Sequence, residues 1–462
     1  MSRFWKKNWK SLVLLVILLL GIIYTTDLSQ KAWRWLTEAG YKKAAIVIDA
    51  RQTEELRRIW AGLAQGFESD EMRLNQVSGY LRQAGVSYIR IDHVLDGYGT
   101  IKRGSDGKLC YDFSNLDRLV NDILAVGAKP FFALSYMPTA ISQGDVTDKP
   151  RNWSEYAQVI NWFVGHYSRD FRGGIEGVVY EVWNEPDLFG NWKTYGEKNY
   201  LELYRVTVRA AEGVRGAKPF LIGGPATTGF YPAWAEDFYR KLSVRHDFFS
   251  WHRYSYQVDD FVRDVEQAKK IIAPLTKSSQ KIFITEWGPA PERNRVYDGW
   301  LAGAHMAAVV RAMIDTPVDL MLAFEIQDGK GGSQWHGGWG MFTNESYGPV
   351  QAKPRWKVYQ FLQQLKGKRL KLVGEGSFVK ALATKEGETI RVLIVNYDSR
   401  GRHEEVFPMA ITGLRDGSYL LKEEYLSGRK LNTRVEVVKG QLKREYALKA
   451  NEVVLVELKR VR

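Results

Sequence analysis

The sequence predicts an α/β protein: a (β/α)8 TIM barrel, a C-terminal antiparallel β-sandwich and an N-terminal membrane anchor helix. Three observations support this prediction. From about residue 60, eight short apolar runs alternate with amphipathic helical stretches, which implies parallel strands joined by helices. Beyond about residue 368, short alternating runs separated by Gly and Asp turns replace the helices. At the other end of the chain, a basic cluster precedes an apolar run.

The anchor is predicted over residues 1–26. Residues 1–10 hold four basic side chains and no acidic one, namely Arg3, Lys6, Lys7 and Lys10, and an apolar run occupies residues 12–23. That run is shorter than the roughly 20 residues that span a bilayer, so a cleaved signal peptide is the alternative. Either way, the positive-inside rule keeps the basic cluster cytoplasmic and exports the rest of the chain. We expect a single-pass protein of the cytoplasmic membrane with its folded domains periplasmic or at the cell surface, or a secreted protein after cleavage.

The charge distribution argues against a nucleic-acid partner. The formal charge is +13 for 462 residues, but the excess lies at the two ends, and residues 11–365 are nearly neutral. A nearly neutral central region lacks the basic surface that binds a polyanion. The single cysteine, Cys110, excludes an internal disulfide and a Cys-based metal cluster. We expect no metal and no cofactor.

The predicted barrel spans residues 58–367. Its strands are expected at 60–66, 86–91, 129–135, 177–183, 219–223, 247–251, 281–285 and 319–326, and helices between them at 115–126, 153–167, 200–214 and 300–314. A doubly wound open sheet is the competing fold, but no Gly-x-Gly-x-x-Gly follows the first strand. Residues 27–57 are predicted to be a linker with an early strand at 44–49 that could join the sandwich. The sandwich, 368–462, has expected strands at 378–384, 390–397, 404–411, 419–425, 435–438 and 452–457.

Functional side chains of a TIM barrel stand at the C-terminal ends of its strands. Glu185 directly follows the fourth predicted strand, and Glu286 follows the seventh. Two carboxyl groups on one face suit hydrolysis of a glycosidic bond, because one can protonate the leaving oxygen while the other attacks or stabilises the anomeric carbon. The other polar candidates at strand ends are Arg90, Asp92, Tyr136, Asn184, His252, Tyr254 and Asp328.

The motifs around these strand ends resemble those of a known family. Asn184, Glu185 and Pro186 form an Asn-Glu-Pro sequence similar to that of the retaining glycosidases whose two glutamates follow strands four and seven. Taken in order, the set resembles glycoside hydrolase family 39, which holds β-xylosidases, α-L-iduronidases and bacterial endoglycosidases of biofilm exopolysaccharides. The likeness runs from about residue 44 to the end, through segments 88–90, 136–138, 180–188, 222–226, 249–254, 284–287 and 336–340.

The resemblance implies a role for three of the candidates. Glu185 would be the general acid/base, Glu286 the nucleophile, and Asn184 a hydrogen-bond partner of the sugar 2-hydroxyl. The acid must keep its proton until cleavage, whereas the nucleophile must stay ionised.

Each of the remaining candidates has two possible interpretations. Tyr254 would hydrogen-bond the nucleophile or be a core aromatic, and His252 would contact substrate hydroxyls or tie two loops together. Arg90 would orient the carboxylates or be a surface residue. The chain contains 16 Trp, so some should stack on sugar rings, yet any one could be core; those nearest the strand ends are Trp183, Trp287, Trp335 and Trp339.

Two features of the sequence indicate the expected substrate: one departure from the family's motif and one Gly-rich loop. The family's β-xylosidases carry a His where this chain has Asp92, at the place of the non-reducing sugar, and the Gly-rich segment 327–335 suggests an open groove. We therefore expect a retaining β-glycosidase, endo-acting on an extracytoplasmic exopolysaccharide. The alternatives are an exo-acting, β-xylosidase-like glycosidase and a non-catalytic polysaccharide-binding component of an export complex. The sequence leaves the oligomeric state open.

Overall fold

The computed structural model describes residues 40–69, 71–276 and 280–461. The predicted anchor, residues 1–26, lies outside the described residues. Within the described part, no helix is both long enough and apolar enough to cross a membrane.

The strands alternate with helices in the first part of the chain and follow one another directly in the last. The first eleven strands are β1 (Ile46–Glu55), β2 (Gly62–Gln65), β3 (Tyr88–Ile91), β4 (Ile101–Arg103), β5 (Leu109–Tyr111), β6 (Lys129–Ala133), β7 (Val179–Glu181), β8 (Leu221–Thr227), β9 (Phe248–Tyr254), β10 (Lys281–Gly288) and β11 (Leu320–Phe324). The others are β12 (Lys368–Val373), β13 (Val379–Glu386), β14 (Thr389–Asn396), β15 (Glu405–Thr412), β16 (Gly417–Tyr425), β17 (Lys430–Val437), β18 (Gln441–Leu448) and β19 (Val453–Arg460). The α-helices are α1 (Ser78–Ala84), α2 (Ser114–Ala125), α3 (Trp153–Gly165), α4 (Tyr200–Glu212), α5 (Pro232–Lys241), α6 (Val258–Ile272), α7 (Trp300–Met313) and α8 (Pro354–Gln364).

Eight parallel strands close into a barrel in the order β2, β3, β6, β7, β8, β9, β10 and β11, and β11 pairs with β2. The predicted TIM barrel is thus confirmed, with one strand at each predicted place. Apolar side chains fill its interior, including Phe131, Phe248 and Phe283. The eighth strand, β11, ends at Phe324, two residues before the predicted end. That difference changes which side chain stands at the mouth of the barrel.

The helices pack their apolar stripes on the outside of the barrel. Helix α2 buries Leu116, Leu119, Val120 and Ile123, which recur at helical spacing. Helices α3 and α4 begin where an asparagine side chain accepts a hydrogen bond from the backbone two residues on, Asn152 from Ser154 and Asn199 from Leu201. These two caps fix the residues at which helices α3 and α4 begin, after the loops of the active face.

The second domain is a nine-stranded sheet in the order β17, β16, β19, β14, β13, β12, β1, β15 and β18. The sheet encloses its own apolar core, to which nearly every strand contributes, as expected for a β-sandwich. The early strand β1 lies in it, antiparallel to β12 but parallel to β15. Within residues 368–462 the strand pairs are antiparallel as predicted, and the one parallel pair is formed by β1, from outside that range. Strand β18 was missed because Lys443, Arg444 and Glu445 interrupt its apolar alternation.

The sandwich is fixed to the barrel through helix α7. Leu382, Leu393 and Leu455, on one face of the sheet, belong to the apolar cluster that fills the space between the barrel strands and the surrounding helices. The Tyr397 hydroxyl donates to the carbonyl oxygen of Tyr256, 2.7 Å away, just beyond β9. The second domain thereby supports the elements that follow barrel strands β9 and β10.

Candidate active site

Strained backbone raises Glu185 into the mouth of the barrel. Strand β7 ends at Glu181, and both Trp183 and Glu185 then adopt positive φ angles, 76° and 46°. Such angles are costly for non-glycine residues and tend to persist where function needs them. The Glu185 N–H is held by the carbonyl oxygen of Ala226 at 2.9 Å. The turn therefore presents Asn184 and Glu185 together at the face where Glu286 lies, two residues before the end of β10.

Arg90 is the centre of the site's hydrogen bonds. Its Nε donates to Glu181 Oε2, its Nη1 to Glu286 Oε1 and its Nη2 to Asn184 Oδ1, each at 2.7 Å. The guanidinium is buried, as are both carboxylates it contacts. A planar fork with several donors is well suited to fixing three acceptors at once. Arg90 thus holds three strands, β3, β7 and β10, in one arrangement.

Both carboxylate oxygens of Glu286 accept hydrogen bonds. Arg90 reaches Oε1, and the Tyr254 hydroxyl donates to Oε2 at 2.9 Å. Burial raises the pKa of the Glu286 carboxyl, and the charges of Glu185 and Asp92 add to that rise. The positive charges of His252 and Arg90 act in the opposite direction. The donors therefore favour the ionised form of Glu286 against a strong burial effect.

His252 connects the two glutamates. Its Nδ1 is hydrogen-bonded to Glu185 Oε1 at 2.8 Å and lies 3.5 Å from Glu286 Oε2. Burial lowers the pKa of His252, but the carboxylates of Glu286 and Glu185 outweigh it, so the net pKa is raised above its ordinary value. One ligand atom from each of these three side chains lies within 4.8 Å of the others, a spacing that could hold a metal ion. His252 Nδ1 is engaged by Glu185 and Glu286 Oε1 by Arg90, whereas His252 Nε2 is buried without a hydrogen-bond partner among the described residues.

The separation of the two glutamates is short. One oxygen of Glu185 and one of Glu286 lie within 4.8 Å of each other. Glycosidases that retain anomeric configuration hold their carboxyl groups about 5–5.5 Å apart, whereas inverting enzymes leave about 6.5–9.5 Å for a water molecule. The short spacing fits direct attack by one carboxylate better than attack by a water held between the two.

The structure brings most of the predicted site residues into one network. Tyr136 accepts a hydrogen bond from Asn184 Nδ2 at 2.8 Å, which links β6 to the Arg90 cluster. Asp92 is buried beside it, close enough to raise the pKa of Glu286. The residues joined in this way are Arg90, Asp92, Tyr136, Asn184, Glu185, His252, Tyr254 and Glu286.

Four predicted substrate-binding residues lie outside this network. Trp183 and Trp287 are almost fully buried, Trp183 against Tyr136 and Trp287 against Phe261, so neither ring offers a face for stacking. Asp328 is buried and forms an ion pair with Lys353 at 2.5 Å. Trp335 lies on the 331–340 loop, where its carbonyl oxygen accepts a hydrogen bond from Arg295. These four residues act as walls and loop supports.

Two further acidic residues were missed by sequence reasoning. Glu181 is fully buried inside β7 and accepts from Arg90 and from Ser250 Oγ, at 2.7 and 2.6 Å. The sequence did offer a signal for Glu181, because it is a single charged residue within an otherwise apolar strand. Glu325 is the first residue after β11, but the predicted strand ran to 326, so the search for strand ends moved past it to Asp328.

A closed barrel that presents two close glutamates at its mouth defines a glycoside hydrolase. The sequence profile of glycosyl hydrolases family 39 matches residues 46–397. The chain belongs to this family and is a glycosidase, which acts on carbohydrate.

The relatives are consistent with that assignment. A β-xylosidase of Caldicellulosiruptor saccharolyticus is 26% identical over 349 residues, 68% of this chain and 70% of that protein. A β-xylosidase of Geobacillus stearothermophilus is 26% identical over 392 residues, 74% and 75% of the two chains. The solved structure of a monomeric β-xylosidase from Caulobacter crescentus CB15 shares the fold, with a TM-score of 0.77, 23% identity, and coverage of 91% of this chain and 100% of that one.

Proposed function

We propose that the chain is a retaining, exo-acting β-glycosidase of the β-xylosidase type. The observation that carries the mechanism is the different hydrogen bonding of the two glutamates. Glu286 accepts from Arg90 and Tyr254, one donor on each oxygen, whereas the Glu185 side chain is hydrogen-bonded to His252 alone among the described residues, through Oε1. Donors on both oxygens of Glu286 stabilise its carboxylate form, which is the form a nucleophile needs. Glu185 is then the acid and Glu286 the nucleophile.

The reaction follows from this assignment by double displacement. Glu286 attacks the anomeric carbon while Glu185 gives its proton to the leaving oxygen, which yields a glycosyl ester of Glu286. Glu185, now a carboxylate, takes a proton from water, and that water attacks the ester. His252, raised in pKa by the two carboxylates, stabilises the charge on Glu185 between the steps. Asn184, held by Arg90 and Tyr136, is placed to contact the 2-hydroxyl.

Two observations support exo action. Only 14% of the Glu185 side chain and 8% of the Glu286 side chain are exposed, and Arg90 beneath them is buried. A site this enclosed admits the end of a sugar chain more readily than its middle. The curated relatives that match most of the chain are named β-xylosidases.

The test is hydrolysis and covalent trapping. We expect release of nitrophenol from 4-nitrophenyl β-D-xyloside, with the β-anomer of the sugar as first product in proton NMR. A 2-deoxy-2-fluoro-β-xylosyl fluoride should add one sugar mass to the peptide that contains Glu286. The Glu286→Gln variant should lose turnover and labelling together.

A matched control keeps that test decisive. Glu436→Gln makes the same chemical change at an exposed position of β17, in the second domain. It should turn over and label as the unmodified protein does. Labelling of another carboxylate, or an α-anomer as first product, would refute the assigned roles.

Endo action on an exopolysaccharide is a second candidate, favoured by one observation. Leu188, Phe189, Tyr195 and Tyr231 are exposed on the loops that follow β7 and β8, on the Glu185 side of the site. The rings of Phe189, Tyr195 and Tyr231 could stack on several sugars of a leaving chain. An endo enzyme should lower the viscosity of a polymer long before reducing sugar accumulates, whereas an exo enzyme should release single sugars with little loss of viscosity.

A further inference from the structure

Arg355 is a buried cation near the mouth of the barrel that takes no part in the proposed mechanism. It is the second residue of helix α8, and its side chain is fully buried. In the part of the chain that the structure describes it forms no ion pair and donates instead to three backbone carbonyl oxygens, those of Trp287, Phe324 and Trp339. A buried charge without a paired ion is costly, and proteins commonly bear such a cost at functional sites.

The three carbonyl groups belong to three segments of the active face. Trp287 is the last residue but one of β10, and its carbonyl oxygen lies 2.9 Å from Arg355 Nη2. Phe324 is the last residue of β11, and its carbonyl oxygen accepts a hydrogen bond from Nη1. The same Nη1 lies 3.3 Å from the carbonyl oxygen of Trp339, in the 331–340 loop. One guanidinium group therefore joins both strand ends to the loop.

Strand β10 is irregular where it carries the nucleophile. Its pairing with β9 shifts between Ile284 and Glu286, and its pairing with β11 shifts between Ile284 and Trp287. An irregularity of this kind bends a strand and changes the direction of the side chain it carries. Because the regular ladder is interrupted there, the hydrogen bond from Arg355 to the Trp287 carbonyl restrains the backbone that carries Glu286.

The base of the 331–340 loop is fixed to the end of β11 by its own backbone. The Glu325 N–H donates to the carbonyl oxygen of Trp339 at 3.1 Å, and the Met341 N–H donates to the carbonyl oxygen of Glu325 at 2.9 Å. Arg355 also contacts the Trp339 carbonyl, and from there it reaches across to β10. The loop and the nucleophile strand are thus connected through this one side chain.

Aromatic rings and charge keep the guanidinium group in place. Its central carbon lies 5.5 and 5.6 Å from the ring centroids of Trp287 and Tyr297, a distance at which a cation is attracted to the rings. Burial lowers the pKa of Arg355, whereas Tyr297, Tyr254 and Glu325 favour its charged form. Arginine stays protonated in proteins. Its planar fork is therefore a permanent set of donors with a fixed geometry.

We propose that Arg355 is a positioning residue for the nucleophile, which keeps the end of β10, and with it Glu286, aligned with the end of β11 and the 331–340 loop. The inference rests on the proposed glycosidase function and adds a residue on which the reaction depends without contact to the substrate. Arg90 and Tyr254 hold the carboxylate of Glu286 directly, whereas Arg355 holds the backbone behind it. A misplacement of about 1 Å can lower a rate roughly 10²-fold, so a small movement of β10 is enough.

The test measures how fast the nucleophile attacks. Labelling by the 2-deoxy-2-fluoro-β-xylosyl fluoride is followed by intact-protein mass spectrometry at several reagent concentrations, well below the unfolding temperature of each variant. The data give the rate constant of attack and the dissociation constant of the reagent separately. In Arg355→Met we expect the rate constant to fall roughly 10²-fold while the dissociation constant changes little. A purely structural role would lower the unfolding temperature and leave the rate constant of the folded protein unchanged.

Two further variants keep the test decisive. Arg355→Lys retains the charge but lacks the planar fork, so its rate constant should fall by about tenfold. It provides the test if Arg355→Met does not fold. Arg311→Met is the matched control, because Arg311 is 13% exposed near the end of helix α7 and pairs with Asp315 and Glu375. Its loss removes a largely buried arginine far from Glu286, and the rate constant should equal that of the unmodified protein.

Hydrogen exchange measures the positioning without any turnover and separates this inference from the proposed function. In Arg355→Met, backbone amides of residues 284–288 and 337–341 should exchange faster than in Arg311→Met, while β3 and β6 stay equally protected in both. If exchange in those two segments is unchanged, or if every folded Arg355 variant labels at the unmodified rate, the inference is wrong. If the unmodified protein neither hydrolyses the aryl xyloside nor becomes labelled, the proposed function fails, and the exchange result still decides whether Arg355 holds the two segments.

Discussion

Arg90 Nη1 lies 2.7 Å from Glu286 Oε1, and both side chains are buried at the mouth of the barrel. The same guanidinium holds Glu181 at 2.7 Å through Nε. One cation thus serves two buried carboxylates, and only one of these, Glu286, is within reach of a substrate. Glu181 positions Arg90, and Arg90 positions the nucleophile and opposes the rise that burial gives its pKa.

Replacing Arg90 by methionine should damage both stability and the pH profile. Two buried carboxylates would lose their cation, which typically costs about 3–5 kcal/mol. Arg90 lowers the pKa of Glu286, so without it that pKa rises further and the nucleophile ionises only at higher pH. The ascending limb of kcat/KM should therefore move to higher pH. Chemical denaturation and a pH series of kcat/KM measure the two effects, with Arg434→Met, on exposed β17, as control. If the ascending limb of the kcat/KM profile does not move, the role of Arg90 is structural alone.

Replacing Tyr254 by phenylalanine should lower kcat with little change in KM. The Tyr254 hydroxyl is one of two donors to Glu286, at 2.9 Å. A hydrogen bond to a charged group is worth about 1.5–3 kcal/mol, which corresponds to roughly a 10- to 150-fold loss of rate. Steady-state kinetics on an aryl xyloside measures it. Tyr256→Phe removes a hydroxyl two residues along and should leave kcat unchanged; an equal loss there would argue against a specific bond.

Replacing Glu185 by alanine should make the rate depend on the leaving group. A dinitrophenyl glycoside needs no proton to depart, so attack by Glu286 should persist and the glycosyl-enzyme should accumulate. A methylumbelliferyl glycoside needs that proton and should react about 10²–10⁴-fold more slowly. Azide should restore turnover of the dinitrophenyl substrate and form a β-glycosyl azide, detected by mass spectrometry. Equal losses for both substrates would contradict the acid/base role. Glu197→Ala is the control.

The sequence predicted the barrel and its two glutamates because both follow from local rules. Apolar runs at regular intervals indicate strands, and a carboxylate directly after a buried strand stands at the mouth of the barrel. What it could not predict depends on contacts between strands. Arg90 uses three donors on three partners, which no spacing reveals, and Glu325 was passed over because the end of β11 is set by packing. Trp183 and Trp287 look like sugar platforms in sequence but are buried in the structure.

His305 should make the protein less stable as the pH falls, independently of the catalytic groups. It lies in helix α7 and is fully buried against Trp287 and Phe261. Its Nε2–H donates to the carbonyl oxygen of Ser255 at 2.8 Å, and its buried Nδ1 has no hydrogen-bond partner among the described residues. Burial lowers the pKa of His305 to about 3.

The sign and size of the effect follow from linkage. In the unfolded chain a histidine has a pKa near 6.5, so a depressed pKa in the folded state gives stability that is present above pH 6.5 and lost below it. The loss is roughly 1.4 kcal/mol per pH unit between 6.5 and 3. Between pH 7 and pH 5, the unmodified protein should therefore lose about 2 kcal/mol more of its unfolding free energy than His305→Phe does. Urea denaturation at the two pH values measures the difference. Parallel losses in both proteins would mean that His305 is able to take up a proton in the folded state, which a sealed α7 interface does not permit.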